Sequence, residues 1–396
     1  MTDAPARRPQ PPKSAFWNDP RIRALLFQAL VLIAVVAVAA YMVNNTLANL
    51  EKRGISSGFK FFGETAGFGI AMNLIEYSDT STYGRAFLVG LLNTLLVASL
   101  GIVAATILGF LIGVARLSKN WLVAKLSAAY VEIARNLPLL LQIFFWYFAV
   151  LGGMPSPRQS VSFMDTFFIN NRGLFSPSPV LKPGFEAIPI ALLIAIVAVF
   201  FLARWAKRRQ ELTGQPFHTV YVSLGILFGL PLLAAVVTGF PLTWSVPKLQ
   251  GFNFDGGMVL IPELVSLWLA LTIYTAAFIG EAVRAGILAV DRGQTEAAMA
   301  AGLTRGQTLR FVVIPQAMRV IVPPMTNQYL SLTKNSSLAA AIAYPDLTAV
   351  FAGTVLNQTG QAVEVIAVTM AVYLVISLTI SLIMNVYNKS VALVER

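Results

Sequence analysis

The chain has 396 residues, of which 57% are hydrophobic and only 12% are charged, and its formal net charge is +11. Ordinary soluble domains are about 25% charged, so this composition excludes them and is typical of a polytopic membrane protein. The sequence has no cysteine, which excludes disulfides and thiolate metal sites. Its basic residues are scattered in short loops, which argues against a nucleic-acid-binding face.

Long apolar runs predict an all-α fold with about eight transmembrane helices, because each span needs about 20 mainly apolar residues. The predicted spans are 22–43, 86–115, 123–152, 188–205, 219–240, 259–288, 318–344 and 361–388. Segments 44–85 and 153–187 are rich in Gly, Pro, Ser and Asn, and they predict external loops.

The distribution of basic residues predicts the orientation of the chain. Arg7, Arg8, Lys13, Arg21 and Arg23 precede or open the first span, which indicates a cytoplasmic N-terminus. Further basic residues fall in or beside the loops that would share that side: Arg116, Lys119, Lys125, Arg204, Lys207, Arg208, Arg209, Arg292, Arg305, Arg310 and Arg319. Eight crossings return the C-terminus to the cytoplasm.

A capped helical hairpin is predicted in the cytoplasmic loop between the sixth and seventh spans, over residues 291–315. Asp291 and Thr304 are each followed three residues later by glutamine, the capping-box pattern that opens a helix. Gly302 stands where a left-handed residue commonly ends a helix, and Pro315 is expected to interrupt the second helix. Such an ordered loop indicates a docking site for a partner.

The hairpin offers both a smooth surface and basic groups to that partner. Four of the five residues from 297 to 301 are alanine, so a protein groove can approach the first helix closely. Arg305 and Arg310 on the second helix are able to reach carboxylates of a partner. The alternative is an amphipathic helix that lies on the membrane surface.

The spacing of this segment resembles the EAA loop of ABC-importer permeases, in which EAA is followed by three residues, Gly, nine residues, and then I-x-LP. The matching residues are Glu296, Ala297, Ala298, Gly302 and Pro315, with Val312 and Ile314 as conservative replacements. The resemblance implies a coupling helix that sits in a cleft of a separate ATPase subunit.

Three further segments are similar to the polar amino-acid permeases of that family. They are 135–142 (RNLPLLLQ), 281–287 (EAVRAGI) and 332–338 (LTKNSSL). The resemblance implies a five-helix type I importer core formed by residues 86–152 and 259–388. The enlarged chain resembles the general L-amino-acid permeases of Gram-negative bacteria, in which two different permeases pair.

The resulting organisation has six parts. They are a cytoplasmic tail (1–21), an anchor helix with a periplasmic loop (22–85), the first part of the core (86–152), an insert with periplasmic loops and two extra spans (153–258), the second part of the core (259–388) and a cytoplasmic tail (389–396). The resemblance places the chain in the bacterial inner membrane with ATPase subunits, a second homologous permease (a homodimer being the alternative) and a periplasmic amino-acid-binding protein.

The chain is not expected to be an enzyme or to bind a cofactor itself. The sequence contains no G-x-x-x-x-G-K-[ST] loop to cradle phosphates, so ATP and Mg²⁺ are expected on the partner ATPase. No nucleic-acid partner, metal site or catalytic residue is predicted.

Charged residues inside predicted spans suggest a substrate pathway, because they are costly in lipid and usually face a cavity or a partner. Lys334 or Ser336 would meet the carboxylate of an amino acid and Glu281 its ammonium group, with Gln142 and Asn335 as further hydrogen-bonding groups.

Structural roles for the same charges remain open alternatives. Glu281 is three residues from Arg284 on one helix face, where the two would form an ion pair, and Lys334 would extend its amine to the interface. A different class of function, an ion-coupled secondary transporter or channel, would use Glu281 and Lys334 as a charge relay.

Overall fold

A computed structural model describes residues 20–52 and 58–391. Arg7, Arg8 and Lys13, which contributed to the predicted orientation, lie outside these residues, as does most of the tail 389–396.

The membrane part consists of helices. They are α1 (Pro20–Lys52), α2 (Tyr83–Ala115), α3 (Trp121–Asn136), α4 (Leu139–Phe144), α5 (Ala187–Thr213), α6 (Thr219–Val237), α7 (Pro262–Leu288), α8 (Arg292–Ala300), α9 (Arg305–Thr308), α10 (Ile314–Asn335), α11 (Leu356–Thr359) and α12 (Ala362–Val391). Wider π-helical turns cover Phe145–Leu151, Leu309–Val313 and Thr348–Val355, and 3₁₀ turns cover Lys60–Gly63, Pro157–Gln159 and Ser336–Ile342. The predicted polytopic helical fold is confirmed.

Six helices of the described chain are long and apolar enough to cross a membrane: α1, α2, α5, α6, α7 and α12. A seventh span is formed if α3 and the helix that follows it count as one. The predicted span 318–344 corresponds to α10 and the 3₁₀ turn after it. This segment is helical but less apolar than the six helices named above, since it carries Arg319, Asn327 and Lys334.

The predicted span 123–152 is bent and not one continuous helix. The chain bends by 107° between α3 and α4. Leu137 at the bend is extended (φ −90°, ψ 132°), because the ring of Pro138 disfavours helical backbone in the residue before it. The side-chain amide of Gln142 donates to the carbonyls of Ala134 and Leu137, at 2.9 and 3.1 Å, and so satisfies the broken end.

The insert contains β-structure where external loops were predicted. The strands are β1 (Val161–Phe163), β2 (Phe167–Asn170), β3 (Gly173–Ser176), β4 (Ser178–Leu181), β5 (Leu242–Ser245), β6 (Lys248–Gln250), β7 (Asn253–Asp255) and β8 (Met258–Leu260). All pairs are antiparallel, in the order β1-β2-β3-β8, with separate pairs β4-β5 and β6-β7. Strands before α5 pair with strands after α6, so both outer ends of this helical hairpin lie on one side.

The core is centred on the parallel contact of α2 with α7. A Cβ added at Gly109 would lie 2.6 Å from Cβ of Ile279, and one at Gly113 would lie 2.6 Å from Cβ of Val283. Glycine allows these backbones to approach closely, as is common between membrane helices. By contrast, α6 has no buried residue, and the apolar residues of α1 from Leu25 to Val43 are exposed.

Candidate functional site

The first helix of the hairpin, α8, begins at a side-chain cap. Oδ1 of Asp291 accepts a hydrogen bond from the backbone N–H of Gly293 at 2.7 Å. This confirms the predicted N-cap. The side chain of Gln294 does not complete a capping box, because it accepts a hydrogen bond from the amide of Gln316 at 3.3 Å. That bond connects α8 to α10.

Gly302 ends α8 as predicted, with a left-handed φ of +85°. The N–H of Gly302 donates to the carbonyl of Met299 at 3.0 Å, and that of Leu303 donates to Ala298 at 3.1 Å. These two bonds form a Schellman motif, which satisfies carbonyls at the end of the helix. A Cβ on Gly302 would meet nothing within 4 Å, so the backbone conformation, and not lack of space, requires glycine here.

The second helix begins with the complete predicted capping box. The N–H of Thr304 donates to Oε1 of Gln307 at 2.9 Å, and the N–H of Gln307 donates to Oγ1 of Thr304 at 3.4 Å. Two orphan N–H groups are thereby satisfied, and the turn between the helices is fixed at four residues, 301–304.

The predicted interruption at Pro315 is wrong. The chain passes from α9 through the π-helical turn Leu309–Val313 into α10 without a break, and α10 contains Pro315 in its first turn and Pro323 and Pro324 further along. A proline lacks the N–H of a regular helix, and locally widened helical turns help to accommodate such a defect. The hairpin is therefore continuous with the membrane helix α10.

The predicted partner-contacting residues separate into two groups. Ala298 is buried, whereas Glu296 and Ala297 are exposed on the outer face of α8. Arg305 and Arg310 are also exposed, and the guanidinium of Arg310 lies 5.6 Å from the ring centre of Phe311. The exposed surface of the hairpin thus presents small, acidic and basic side chains together.

Glu281 lies in an ion cluster that connects two helices. Its carboxylate accepts from the Arg284 guanidinium on the same helix, with Nη2 and Oε1 2.6 Å apart, and also pairs with Arg116 at the end of α2. Spacing along the helix indicated the first pair but not the second. Both oxygens of Glu281 are therefore occupied by this chain's own arginines.

Lys334 lies in a different part of the molecule. Gly286 of α7 lies against Ile321 of α10. Measured from this contact in the direction away from the hairpin, Glu281 lies five residues along α7 and Lys334 lies 13 residues along α10. A helix rises about 1.5 Å per residue, so the two charges are roughly 12 Å apart along the helix axes. They do not meet as the two halves of a single subsite.

A groove of about 490 Å³ between α10 and α12 contains Lys334. Ser337, Thr348, Thr369 and Tyr373 also line it. Within 58–391, the amine of Lys334 has no carboxylate partner. The groove therefore joins one exposed cation to several hydroxyl groups.

The remaining residues predicted to line the substrate pathway are less accessible to a substrate. The hydroxyl of Ser336 is buried and donates to the carbonyl of Thr333 at 2.7 Å. Gln142 is buried at the bend between α3 and α4, where its amide is already bonded, and Asn335 is half-buried at the end of α10.

Comparison with known proteins identifies the chain. Residues 218–392 match the model of the family described as binding-protein-dependent transport system inner membrane component. The putative amino-acid ABC transporter permease protein YhdX of Escherichia coli K12 is 58% identical over 383 residues, covering 97% of this chain and 98% of that protein. The chain belongs to the amino-acid ABC transporter permeases.

Two other full-length relatives support this membership of the permease family. The general L-amino acid transport system permease protein AapQ of Rhizobium johnstonii is 53% identical, with 97% of this chain and 96% of AapQ covered. BztB of Rhodobacter capsulatus, a glutamate/glutamine/aspartate/asparagine transport system permease, is 42% identical, with 98% and 99% covered. The permease is a multi-pass inner-membrane transport subunit.

The permease also contains a buried acid that the sequence analysis missed. Asp346 is fully buried in the turn between α10 and α12, where its carboxylate accepts from the N–H of Ala349 at 2.8 Å and the hydroxyl of Tyr373 at 3.3 Å. Its sequence context, Tyr344-Pro345-Asp346, reads as an ordinary turn, and no spacing pattern signals burial.

Proposed function

We propose that this permease is one membrane subunit of an ATP-driven importer of amino acids. Its relatives over the full length are described as permeases for amino acids, with substrates that include L-amino acids in general and the acidic residues and their amides. The assembly would contain a second homologous permease, ATPase subunits that bind ATP and Mg²⁺, and a soluble periplasmic binding protein that delivers the substrate.

The observation that carries this proposal is the capped and closed geometry of the hairpin. Asp291 and Gly302 fix the two ends of α8, and the exposed Glu296 and Ala297 lie between them. A rigid helix with small outward residues fits a cleft on an ATPase. Because α9 continues into α10, a displacement of the hairpin would be transmitted to a membrane helix and would open the pathway alternately to each side.

In this arrangement, both termini lie in the cytoplasm. The parallel helices α2 and α7 would end on that side with Arg116 and the hairpin, and the β-strands of the insert would lie outside. The less apolar α10 would serve as the eighth span, covered by α7 and α12, with which it packs.

The groove around Lys334 is the best candidate for substrate contact in this chain. Its amine would bind the carboxylate of an amino acid. The hydroxyl oxygens of Ser337 and Tyr373, which donate their protons to the Lys334 carbonyl and to Asp346, would accept from the ammonium group of that substrate. Glu281, which is held by two arginines, would instead fasten α2 to α7 and so position the helix that leads into the hairpin.

The test compares Gly302→Asp with the matched control Gly306→Asp, each in the complete transporter. Gly306 lies in the same hairpin and also has open space around it, but its backbone φ is not left-handed. A left-handed backbone costs a non-glycine residue about 1–2 kcal/mol, so Gly302→Asp should distort the end of α8. We expect Gly302→Asp to reduce co-purification of the ATPase and substrate uptake by about tenfold, with a much smaller effect of Gly306→Asp. Normal uptake by Gly302→Asp would contradict the coupling role.

A further inference from the structure

A cavity of about 460 Å³ lies within the hairpin. The end of α7, α8, α9 and the π-helical turn surround it. Its walls are mainly apolar and are formed by Ile287, Leu288, Val290, Met299, Leu309 and Val313. Ile287 and Leu288 are the last residues of the membrane helix α7, so the cavity lies at the hairpin end of that helix.

The cavity combines this apolar wall with polar donors from two helices. Arg292 and Thr295 are three residues apart on one face of α8, and Arg305 and Thr308 are three apart in the second helix. Thr308 is only 2% exposed, and its hydroxyl has no hydrogen-bond partner in the described part of the chain. A buried hydroxyl is costly when it is left unsatisfied, so this donor indicates a ligand.

The charges around the cavity favour an anion. Neither Arg292 nor Arg305 pairs with a carboxylate within residues 58–391. Asp291, the nearest acidic neighbour in sequence, uses its carboxylate to cap α8, and Glu296 does not line the cavity. Two guanidinium groups and a hydroxyl match the oxygens of one phosphate group.

We propose that this cavity binds an anionic phospholipid, with its phosphate between Arg292 and Arg305 and part of an acyl chain against the apolar wall. Anionic lipids are attracted to basic pockets at the cytoplasmic ends of membrane helices. A free phosphate would leave the apolar wall unfilled. Ala297 is roughly 160° around α8 from the cavity-lining Thr295 and Met299, so the ATPase would still reach the helix while the lipid is bound. A bound lipid would thus support the hairpin in the position from which it couples.

The test is native mass spectrometry of the full-length permease in mild detergent, with dioleoylphosphatidylglycerol as the probe and dioleoylphosphatidylcholine as the neutral comparison. We expect the wild type to retain the anionic lipid in preference to the neutral one. The double variant Arg292→Gln/Arg305→Gln should bind it about tenfold more weakly, because two charge-assisted hydrogen bonds are lost. Thr308→Val should weaken binding less.

Arg310→Gln is the matched control, since Arg310 belongs to the same hairpin but does not line the cavity. It should retain the lipid as the wild type does. An equal loss in Arg310→Gln, or no loss in the double variant, would show that binding follows net charge and would overturn the site.

Two further arms identify the occupant. Millimolar inorganic phosphate should not displace the lipid, and full displacement would reduce the site to a phosphate site and overturn the lipid assignment. The same measurement on the permease–ATPase complex should still find the lipid. Its loss on ATPase binding would show that the ATPase fills the cavity, which would also overturn the proposal.

Discussion

The ion cluster of Arg116, Glu281 and Arg284 should stabilise the contact between α2 and α7 by an amount that substitutions can measure. The side chains of Arg116, Glu281 and Arg284 are 16%, 27% and 31% exposed, so solvent screens the cluster in part. Breaking a fully buried pair costs about 3–5 kcal/mol, and an exposed pair contributes about 0–1 kcal/mol. We therefore expect Glu281→Gln to lower the free energy of unfolding by about 1–2 kcal/mol.

The two arginines should contribute unequally. Arg284 pairs within one helix, where a pair three residues apart contributes about 0.2–0.5 kcal/mol, whereas Arg116 joins two helices. Arg116→Gln should thus destabilise the permease more than Arg284→Gln. Unfolding of the purified permease in mixed micelles of mild detergent and dodecyl sulfate measures these differences, and a double-mutant cycle isolates the Arg116–Glu281 term. A coupling near zero, or a larger effect of Arg284→Gln, would show that the Arg116–Glu281 pair does not hold α2 against α7.

A further prediction concerns packing. Gly109→Val should prevent normal folding because its side chain would collide with Ile279. Gly225→Val, on a helix face with nothing within 4 Å, should be tolerated. Thermal stability after size-exclusion chromatography distinguishes the two.

The sequence was most informative where local rules determine structure. The cap at Asp291, the left-handed Gly302 and the capping box at Thr304 follow from interactions within a few residues, and the structure has all three. The long apolar helices were predictable for the same reason, since each satisfies its own backbone hydrogen bonds.

The sequence was less informative where distant segments meet. Arg116 and Glu281 are 165 residues apart, so no helical spacing connects them. The strands of the insert are three or four residues long, so they lack the length at which alternation becomes visible. Two of their pairings, β3–β8 and β4–β5, also span the whole α5–α6 hairpin. The prediction that Pro315 interrupts the helix was wrong because Pro315 lies in the first turn of α10, next to a π-helical turn, where a proline does not end a helix.

The central claim is that ATP hydrolysis on a partner drives amino-acid transport through this permease. The most direct measurement is uptake of radiolabelled glutamate, glutamine and other amino acids into proteoliposomes that contain the complete transporter and its binding protein, with ATP either enclosed or omitted. Uptake should require ATP on the hairpin side and should persist when ionophores abolish ion gradients. Uptake by the permease without the ATPase, driven by an imposed ion gradient, would contradict the central claim and would favour an ion-coupled transporter.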